Sequence, residues 1–465
     1  MNMILVPHTI DHQKTDLWIA AIGATSPPEG SSVFLMPGEK EIKLSKGNWR
    51  TITADGTLKP TLRNVFIQTV TIPNLQPNTT YEVKTKEGTN ARFSTLPASL
   101  PKEGERPFTV LLASCFYYGN DKEGRMGVAV KLLPEDAKPN VKILCGDQVY
   151  LDLPAFAEFS DDEAWLAENF LNKYILTWGQ TNGYQTLLRT GGTYFTADDH
   201  EFWNNFPNWA TLINNTWKEE GRERWKKVAL ALYKDFQSDD PSKAGHPRRF
   251  EIGNLSFFIA DTRVFREEGD INFMSQQDFL QLKQWILGLQ GPGVLVLGQP
   301  IFHEPARQSN AKLGDRALSN YKPQYTELVR TLFQAQHSIL VLTGDVHYGR
   351  VASCELRSSP IPVKLIEVIA SPSSLVSTIT TGRPEDAPAR FPPEPIPGLV
   401  HSDIRTLYKT PTRRVLLFKE VSKDHFATLH FTERAGRVRM RVRYWFPKKV
   451  SQEDVESDVL DPIDL

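Results

Sequence analysis

The chain has 465 residues, three cysteines and a formal net charge of -1. Its length predicts two or three domains, and its few cysteines exclude the disulfide framework of a small secreted protein. The balanced charge gives no reason to expect a membrane surface or a nucleic acid as a partner, although it does not forbid a nucleic acid.

The first residues carry no recognisable targeting signal. Residues 1–8 lack the basic region and the long apolar core of a signal peptide, and no twin arginine appears there. We therefore expect a cytoplasmic protein, or an exported one if a leader has been removed. No protein partner is predicted.

Residues 1–98 are expected to form an all-β sandwich. They contain short apolar runs, at residues 16–20, 32–36 and 65–70, and these runs are separated by turns rich in Pro, Gly and Asn. Residues 75–83 and 91–97 resemble the corner and the last strand of a fibronectin type III domain. That resemblance implies that Tyr81 bonds back to the backbone at the corner.

After residue 98 the pattern of apolar and polar residues changes. Residues 99–107 are polar and carry Pro and Gly, so we assign them to a linker. From 108 to 450, apolar runs alternate with helix-like segments, which predicts an α/β body. Helices are expected at 160–176, at 276–289 and, as a cap on the rim of a site, at 214–236.

The last part of the chain is expected to return to strands. These strands are predicted at 414–418, 425–431 and 437–442, and alternation in the last two suggests one solvated face for each. The acidic residues 451–465 are expected to form a loosely held tail.

Four buried-looking strands in the body each lead into a polar residue that could bind a metal ion. The residues that follow these strands are Ser114 and Cys115, Asp147 and Tyr150, Gln299, and Asp345 and His347. A fifth, weaker strand leads to Asp198, Asp199 and His200. Because ligands collect outside the carboxyl ends of strands in α/β sheets, we expect one assembled site.

The chemistry of these side chains points to two metal ions. Cys115 offers a thiolate, which suits a transition metal and not Mg²⁺. Tyr150 could ligate as a phenolate, which favours ferric iron. Asp147 could bridge two cations, while Asp345 and His347, two apart on an extended segment, would add oxygen and nitrogen ligands. The other oxygen ligands would come from Asp198, Asp199 and Gln299. Two metal ions held close together can stabilise both the attacking and the leaving oxygen of an in-line displacement at phosphorus.

Each of these features alone also has a structural explanation. A Gly-Asp pair after a strand is common, Asp198 with Asp199 could cap a helix, and a strand-end cysteine is usually a small core residue. We assign Cys145 and Cys354 to the core. The metal-site interpretation therefore depends on the order of the motifs and on their repeated position at strand ends.

In sequence order, the motifs resemble those of the PhoD-like branch of the calcineurin-like metallophosphoesterases. The matching residues lie within about 108–375 and are Ser114-Cys115, Gly146-Asp147-x-x-Tyr150, Asp198-Asp199-His200-Glu201 with Asn204-Asn205, Asp261-Thr262-Arg263, Gly298-Gln299 and Gly344-Asp345-x-His347. Departures from the wider superfamily, such as Ser-Cys in place of Asp-x-His, are those of this branch. The resemblance implies a four-layer αββα sandwich with two metal ions, iron and calcium being favoured over manganese or zinc.

The resemblance also implies a role for each residue. Asp147 would bridge the metals, with the first also held by Cys115, Tyr150 and His347 and the second by Asp199, Gln299 and Asp345. His200 would contact the phosphate or protonate the leaving oxygen as a general acid, and Asp198 would ligate or orient His200. Arg263 could hold a phosphate or form a structural ion pair. Candidates for substrate binding are Asn204, Asn205 and His303.

These observations predict a metal-dependent phosphoesterase, either an alkaline phosphatase or a phosphodiesterase. It would hydrolyse a small or polymeric phosphate ester by in-line attack of a metal-bound hydroxide. A nuclease or phospholipase-type diesterase is an alternative, because Trp217, Lys218 and residues 222–227 form a basic aromatic cluster; a solvated helix face explains that cluster equally well. A binding or scaffold protein with a vestigial metal site is a second alternative, against which the near-complete ligand set argues.

Overall fold

The computed structural model describes residues 2–28, 30–52, 65–154, 157–305, 316–357, 362–375, 383–414, 420–448 and 454–465. The helices are α1 (Arg125–Lys131), α2 (Glu163–Trp178), α3 (Tyr184–Leu188), α4 (Glu219–Phe236), α5 (Gln276–Gly288) and α6 (Lys322–Gln334). The strands are β1 (Asn2–Ile10), β2 (Thr15–Ile22), β3 (Ser32–Met36), β4 (Lys40–Lys43), β5 (Arg50–Thr51), β6 (Val65–Ile72), β7 (Thr80–Thr85), β8 (Asn90–Ser94), β9 (Phe108–Ala113), β10 (Val141–Cys145), β11 (Gly192–Thr196), β12 (Arg248–Ile252), β13 (Leu255–Ile259), β14 (Gly293–Val296), β15 (Ile339–Thr343), β16 (Arg350–Arg357), β17 (Val363–Ile369), β18 (Arg390–Phe391), β19 (Ser402–Lys409), β20 (Thr412–Arg414), β21 (Glu420–Ser422), β22 (Phe426–Arg434), β23 (Arg437–Phe446), β24 (Glu456–Val459) and β25 (Ile463–Asp464).

The N-terminal region is built from two antiparallel sheets, β1-β2-β6-β5 and β4-β3-β7-β8. Alternate residues of their strands, such as Leu17 and Ile19 of β2 and Val33 and Leu35 of β3, are buried in one apolar cluster. This is the period-two pattern of strands with one face on a core. The backbone N–H of Gln76 donates to the Tyr81 hydroxyl at 2.8 Å, which is the predicted corner contact.

The α/β body contains two larger sheets whose central strands are parallel. The first sheet has the order β11-β10-β9-β22-β23-β24, with β25 beside β23, and the second has the order β12-β13-β14-β15-β17-β16-β19-β18. β9, β10 and β11 are parallel, as are β13, β14, β15 and β17. The strands that were predicted to lead into the site are therefore parallel neighbours, with their carboxyl ends at shared edges.

The body has four layers. The inner faces of the two sheets pack together, with Leu112 of β9 and Val296 of β14 in the same apolar cluster. The outer face of the first sheet, including Leu111, is covered by α1 to α4, and that of the second, including Leu295, by α5 and α6. The predicted αββα sandwich is thus confirmed. Strands such as β9 are buried on both faces, which explains their continuous apolar sequence.

Two predicted helices begin at capping residues. The Asp162 side chain accepts from the Trp165 N–H at the start of α2, and the Ser275 side chain accepts from the Asp278 N–H at the start of α5. The segment predicted at 214–236 is divided into a short 3₁₀ turn, Asn214–Thr216, and α4.

Two expectations for the end of the chain are wrong. β24 and β25 both pair with β23, and the Arg439 Nε–H donates to Asp464 at 2.8 Å, so residues 454–465 are not a loose tail. β22 has no solvated face along most of its length, because it lies between β9 and β23 under flanking structure. Of the strand predicted at 414–418, residues 415–418 lie outside the described residues.

The N-terminal sheets pack directly on the body. The Trp18 indole N–H donates to the Asp235 carbonyl at 2.8 Å, and the Tyr194 hydroxyl donates to the Ile10 carbonyl at 3.2 Å. Arg50 also forms an ion pair with Asp235. These contacts fix the N-terminal sheets against α4 and β11. None of the helices in the described part of the chain is long and apolar enough to cross a membrane.

Candidate metal centre

Two glycines allow the strand ends to approach one another. A Cβ atom on Gly146, which has a φ of +83°, would lie within 3.0 Å of the Asp198 Cβ atom. A Cβ atom on Gly344 would lie within 3.0 Å of the Ser114 side chain, which belongs to the other sheet. Any larger residue would force these loops apart, so the glycine of each Gly-Asp pair has a steric reason.

Four of the predicted ligands have a left-handed backbone conformation. The φ angles are 54° at Cys115, 55° at Asp147, 69° at Asp345 and 58° at His347. For residues other than glycine, this conformation costs about 1–3 kcal/mol and is concentrated at functional sites. The segment from Asp345 to His347 is therefore a turn, not the extended segment that we expected, and the turn brings both side chains towards the cluster.

The predicted ligands converge in three overlapping groups. Within each group the potential ligand atoms lie within 4.8 Å of one another, and the groups are Cys115 with Asp147 and His347, Asp147 with Asp199 and His200, and Asp198 with Asp199 and Asp345. Asp147 and Asp199 each belong to two groups, so the three groups form one continuous cluster. The soft donors lie at one end of it and the carboxylates at the other.

Tyr150 and Cys115 have properties that suit coordination of a cation. The Tyr150 hydroxyl is buried and has no hydrogen-bond partner among the described residues. Leaving such a group unsatisfied costs about 1–3 kcal/mol, which a bound cation would remove. The Cys115 sulfur lies 3.3 Å from the Asp147 carboxylate and accepts from the Ser371 hydroxyl at 3.1 Å.

The crowded carboxylates also favour a bound cation. Burial raises the pKa of Asp147 well above its ordinary value; His200 opposes this, and Asp199, Asp198 and Glu201 add to it. Burial also raises the pKa of Cys115 and Tyr150 well above their ordinary values. A cation reverses these effects because it stabilises the ionised ligands. The residues therefore fit a metal pair.

His200 is oriented by a residue that the sequence pattern did not reveal. Its Nδ1 lies 2.8 and 3.0 Å from the two Asp152 oxygens. Burial alone would lower the pKa of His200, but Asp152, Asp199 and Asp147 outweigh it and hold that pKa well above 6.5. Since Asp152 accepts at Nδ1, Nε2 is the ring nitrogen that remains for a metal ion or another ligand. Asp152 ends no strand, so no sequence signal marked it.

Glu201 joins two of the strand-end loops. Its carboxylate accepts from the backbone N–H groups of Asp147 at 2.8 Å, Gln148 at 2.6 Å and Asp198 at 2.9 Å, and from the Gln237 amide at 3.2 Å. Burial raises the pKa of Glu201 to about 7, although these hydrogen bonds oppose the rise. The sequence showed this residue only as part of a motif, without a role.

The catalytic interpretation of Arg263 is corrected by the structure. Its side chain is fully buried, its Nε–H donates to Asp198 at 2.6 Å, and its Nη1 donates to the Phe206 carbonyl at 2.7 Å. The ion-pair alternative is therefore the one observed. The nearby Asp261 accepts from the Ala197 N–H and the Tyr233 hydroxyl, which is also a structural role.

Gln299 is tied to both a carboxylate and a guanidinium group. Its amide nitrogen donates to Asp345 at 3.0 Å, and its amide oxygen accepts from Arg266 at 2.8 Å. Arg266 is buried and lies over the Tyr321 ring. In this arrangement Gln299 positions Asp345, and its own role as a metal ligand stays a prediction.

The three residues predicted to bind substrate have different surroundings. The Asn205 N–H donates to Asp199 at 2.6 Å, and its buried side-chain oxygen has no hydrogen-bond partner in the described part of the chain. The Asn204 N–H donates to Asp152 at 2.9 Å. His303 is half-buried and its Nδ1 lies 2.7 Å from the Glu304 carbonyl oxygen, a local contact that does not join it to the cluster.

Comparisons with known proteins support the fold. No family model matches the chain. No curated protein matches it either. A solved structure described as that of PhoD is 15% identical with a TM-score of 0.61, and the alignment covers 98% of this chain and 88% of that one. A purple acid phosphatase from seeds of yellow lupin (Lupinus luteus) is 12% identical with a TM-score of 0.54, with 98% and 73% coverage. The predicted resemblance is thereby confirmed at the level of the fold.

Proposed function

We propose that this protein is a metal-dependent phosphoesterase. The observation that carries the proposal is the position of Asp147, which lies in one ligand group with Cys115 and His347 and in another with Asp199. A carboxylate shared in this way suits a bridge between a softer and a harder cation. The two similar structures, one described as PhoD and the other as a purple acid phosphatase, support the same reaction class.

The residues divide between two metal positions in this proposal. Cys115, Tyr150 and His347 would hold the softer ion, for which iron is favoured, and Asp199 and the other carboxylates would hold the harder ion, for which calcium is favoured; manganese and zinc are alternatives. When bound, such ions neutralise charge on the phosphate and lower the pKa of water.

His200 supplies the acid in the proposed reaction. Water adds to phosphorus, the bond from phosphorus to the ester oxygen breaks, and the leaving oxygen takes up a proton from Nε2 of His200, which the proton released by the water replaces. Asp152 holds Nδ1 and so fixes the tautomer and the ring orientation. Asp152, which the proposal leaves outside the metal ligands, raises the pKa of His200 against the effect of burial and so favours the protonated ring.

Neither a nuclease nor a scaffold protein gains support from the described residues. In the basic aromatic cluster, Trp225 is buried, Arg222 pairs with Glu268 and Lys227 pairs with Glu163. Arg224 also pairs with Asp161 and Glu220, so three of the five cations of the cluster are in ion pairs, which argues against a groove that binds the phosphates of DNA. The convergence of the ligands argues against a scaffold with a vestigial site.

Hydrolysis of nitrophenyl phosphate and of bis-nitrophenyl phosphate tests the proposal. Wild-type protein supplied with iron and calcium should hydrolyse at least one of the two, while Asp147→Asn should lose about 100-fold or more in turnover, the range seen for removal of one key polar group. Asp403→Asn, which changes an exposed carboxylate on β19, is the matched control and should keep full activity. Equal activity in Asp147→Asn and wild type would refute the assignment.

A further inference from the structure

Three tryptophans and a leucine are exposed on two neighbouring segments of the body. The exposed fractions are 39% for Trp165, 44% for Trp209, 53% for Leu212 and 59% for Trp217, and no other described tryptophan or phenylalanine is as exposed. We call these four residues the tryptophan patch. Single exposed apolar residues need no explanation, but large aromatic side chains clustered at the surface mark sites of ligand or partner binding.

The segments that carry the patch are held against one another. The Trp217 indole N–H donates to the Ala210 carbonyl at 3.0 Å, which closes the loop between them. The Asn215 side chain donates to the Phe159 carbonyl at 3.1 Å, and the Phe159 ring lies 6.2 Å from the Trp165 ring. The loop of residues 209–217 therefore lies beside the start of α2.

The patch is also close to the metal centre. The Asn205 N–H donates to the Asp199 carboxylate at 2.6 Å. The Asn208 N–H donates to the Asn205 carbonyl at 2.9 Å, which closes a tight turn. A turn of this kind keeps its end Cα atoms within about 7 Å and one more residue adds about 3.8 Å, so the Trp209 Cα lies within about 11 Å of the Asn205 Cα. The organic group of an ester bound at the centre can span that distance.

The charges around the patch are mixed. Its acidic neighbours are Asp161, Asp162, Glu219 and Glu220, and its basic neighbours include Lys218 and Arg222. Arg222 pairs with Glu268, and Arg224 pairs with Asp161 and with Glu220. Because these guanidinium groups are already paired, the surroundings offer little excess positive charge to a nucleic acid or an anionic lipid surface, and an uncharged apolar group suits the patch better.

We propose that the tryptophan patch binds the organic group of the substrate, which would therefore be a phosphate ester of an apolar alcohol. This inference rests on the proposed function. It names Trp209 and Leu212 as residues that determine specificity, since they lie in the loop that continues from Asn205. It places no catalytic role on them.

Two diesters with the same leaving group test the inference through turnover. Methyl nitrophenyl phosphate and octyl nitrophenyl phosphate differ only in the apolar chain, and burial of that chain should raise kcat/KM for the octyl ester by about tenfold. In Trp209→Ala and in Leu212→Ala the ratio of kcat/KM for the octyl ester to kcat/KM for the methyl ester should fall by about fivefold or more. Leu287→Ala, which removes a side chain 50% exposed on α5, is the control. An octyl preference that is absent from wild type, or unaltered in Trp209→Ala, would overturn the inference.

A binding measurement separates this inference from the proposed function. Octyl phosphate should change the tryptophan fluorescence of the purified wild-type protein and bind about tenfold more tightly than methyl phosphate, and Trp209→Ala should lose that difference. If octyl phosphate binds in this way but neither diester is hydrolysed, the patch binds an apolar phosphate ester as inferred, and it is the proposed function that fails. If the methyl ester is hydrolysed but octyl phosphate gains no affinity, or if only lipid vesicles bind, the inference fails and the function stands.

Discussion

At the scale of single residues, the contact between His200 and Asp152 decides how the proposed acid works. The two Asp152 oxygens lie 2.8 and 3.0 Å from Nδ1 of His200. Burial alone would raise the pKa of Asp152, but His200 outweighs it and holds that pKa below its ordinary value, so the carboxylate stays ionised. An ionised carboxylate can only accept, and it therefore fixes the proton on Nδ1 and leaves Nε2 to the substrate.

Removal of this carboxylate should weaken catalysis without emptying the site. In Asp152→Asn we expect kcat to fall by about 10²–10⁴-fold, the usual contribution of a positioned general acid. The pKa of His200 should fall as well. Because protonated His200 is the acid, the decline of kcat at high pH should therefore begin at a lower pH than in wild type. Metal content should match that of wild type. A variant with wild-type kcat and an unchanged pH profile would show that Asp152 does not position His200.

A buried histidine far from the metal centre gives a test of the pH dependence of stability. Burial lowers the pKa of His430 to about 4, with help from Arg443 and Arg441 and against Asp136. The unfolded chain binds a proton near pH 6.5 and the folded chain near pH 4. Above pH 6.5 the titration of His430 costs no stability. As the pH falls from 6.5 to 4, it lowers the free energy of unfolding by about 3 kcal/mol in total.

Buried carboxylates with raised pKa, such as Glu201, act in the opposite direction over part of that window, so a comparison with a variant is needed. We expect the melting temperature of His430→Gln to fall less than that of wild type between pH 7 and pH 4. Melting curves at a series of pH values measure this. Identical losses in the two proteins would mean that His430 titrates normally in the folded state.

At the scale of elements, the approach of the strand ends depends on glycine. Gly146 and Gly88 have nearly equal φ angles, +83° and +88°, but only Gly146 has neighbours where a Cβ atom would be placed. Both substitutions by alanine carry the left-handed strain of about 1–2 kcal/mol. Gly146→Ala adds a steric clash with Asp198, so we expect it to lower the melting temperature clearly more than Gly88→Ala.

Thermal unfolding of the two variants measures this difference. Equal shifts would indicate that the loops after β10 and β11 can separate without cost, which would remove the steric reason for the Gly-Asp pair. A large shift in Gly146→Ala together with loss of bound metal would instead tie the approach of the loops to the assembly of the centre.

The elements themselves could be predicted from the sequence because local patterns specify them. Buried parallel strands are continuously apolar, and β9, β10, β14 and β15 all appeared as such runs. The starts of α2 and α5 coincide with capping side chains. The pairing of β24 and β25 with β23 could not be predicted, because acidic composition alone does not show that Asp464 meets Arg439.

At the scale of the whole molecule, the sequence predicts the positions of the site residues better than it predicts their roles. Strand-end position identified Asp147 and Asp345, since all parallel strands deliver their carboxyl ends to one edge. It could not show that Arg263 faces Asp198 across 65 residues or that Asp152 faces His200, because such pairs form only when separate loops pack together. The N-terminal sheets are held to the body through Trp18, which bonds to α4, and through Ile10, which accepts from Tyr194 of β11.

The metal content of the purified protein tests the central claim most directly. Elemental analysis of wild type should find close to two metal ions per chain, with iron among them, and Asp147→Asn should contain clearly less, because a bridging ligand serves both ions. Asp403→Asn, with its change at an exposed position, should match wild type. A protein that contains no metal, and that takes up none when supplied with iron, calcium, manganese or zinc, would contradict the account.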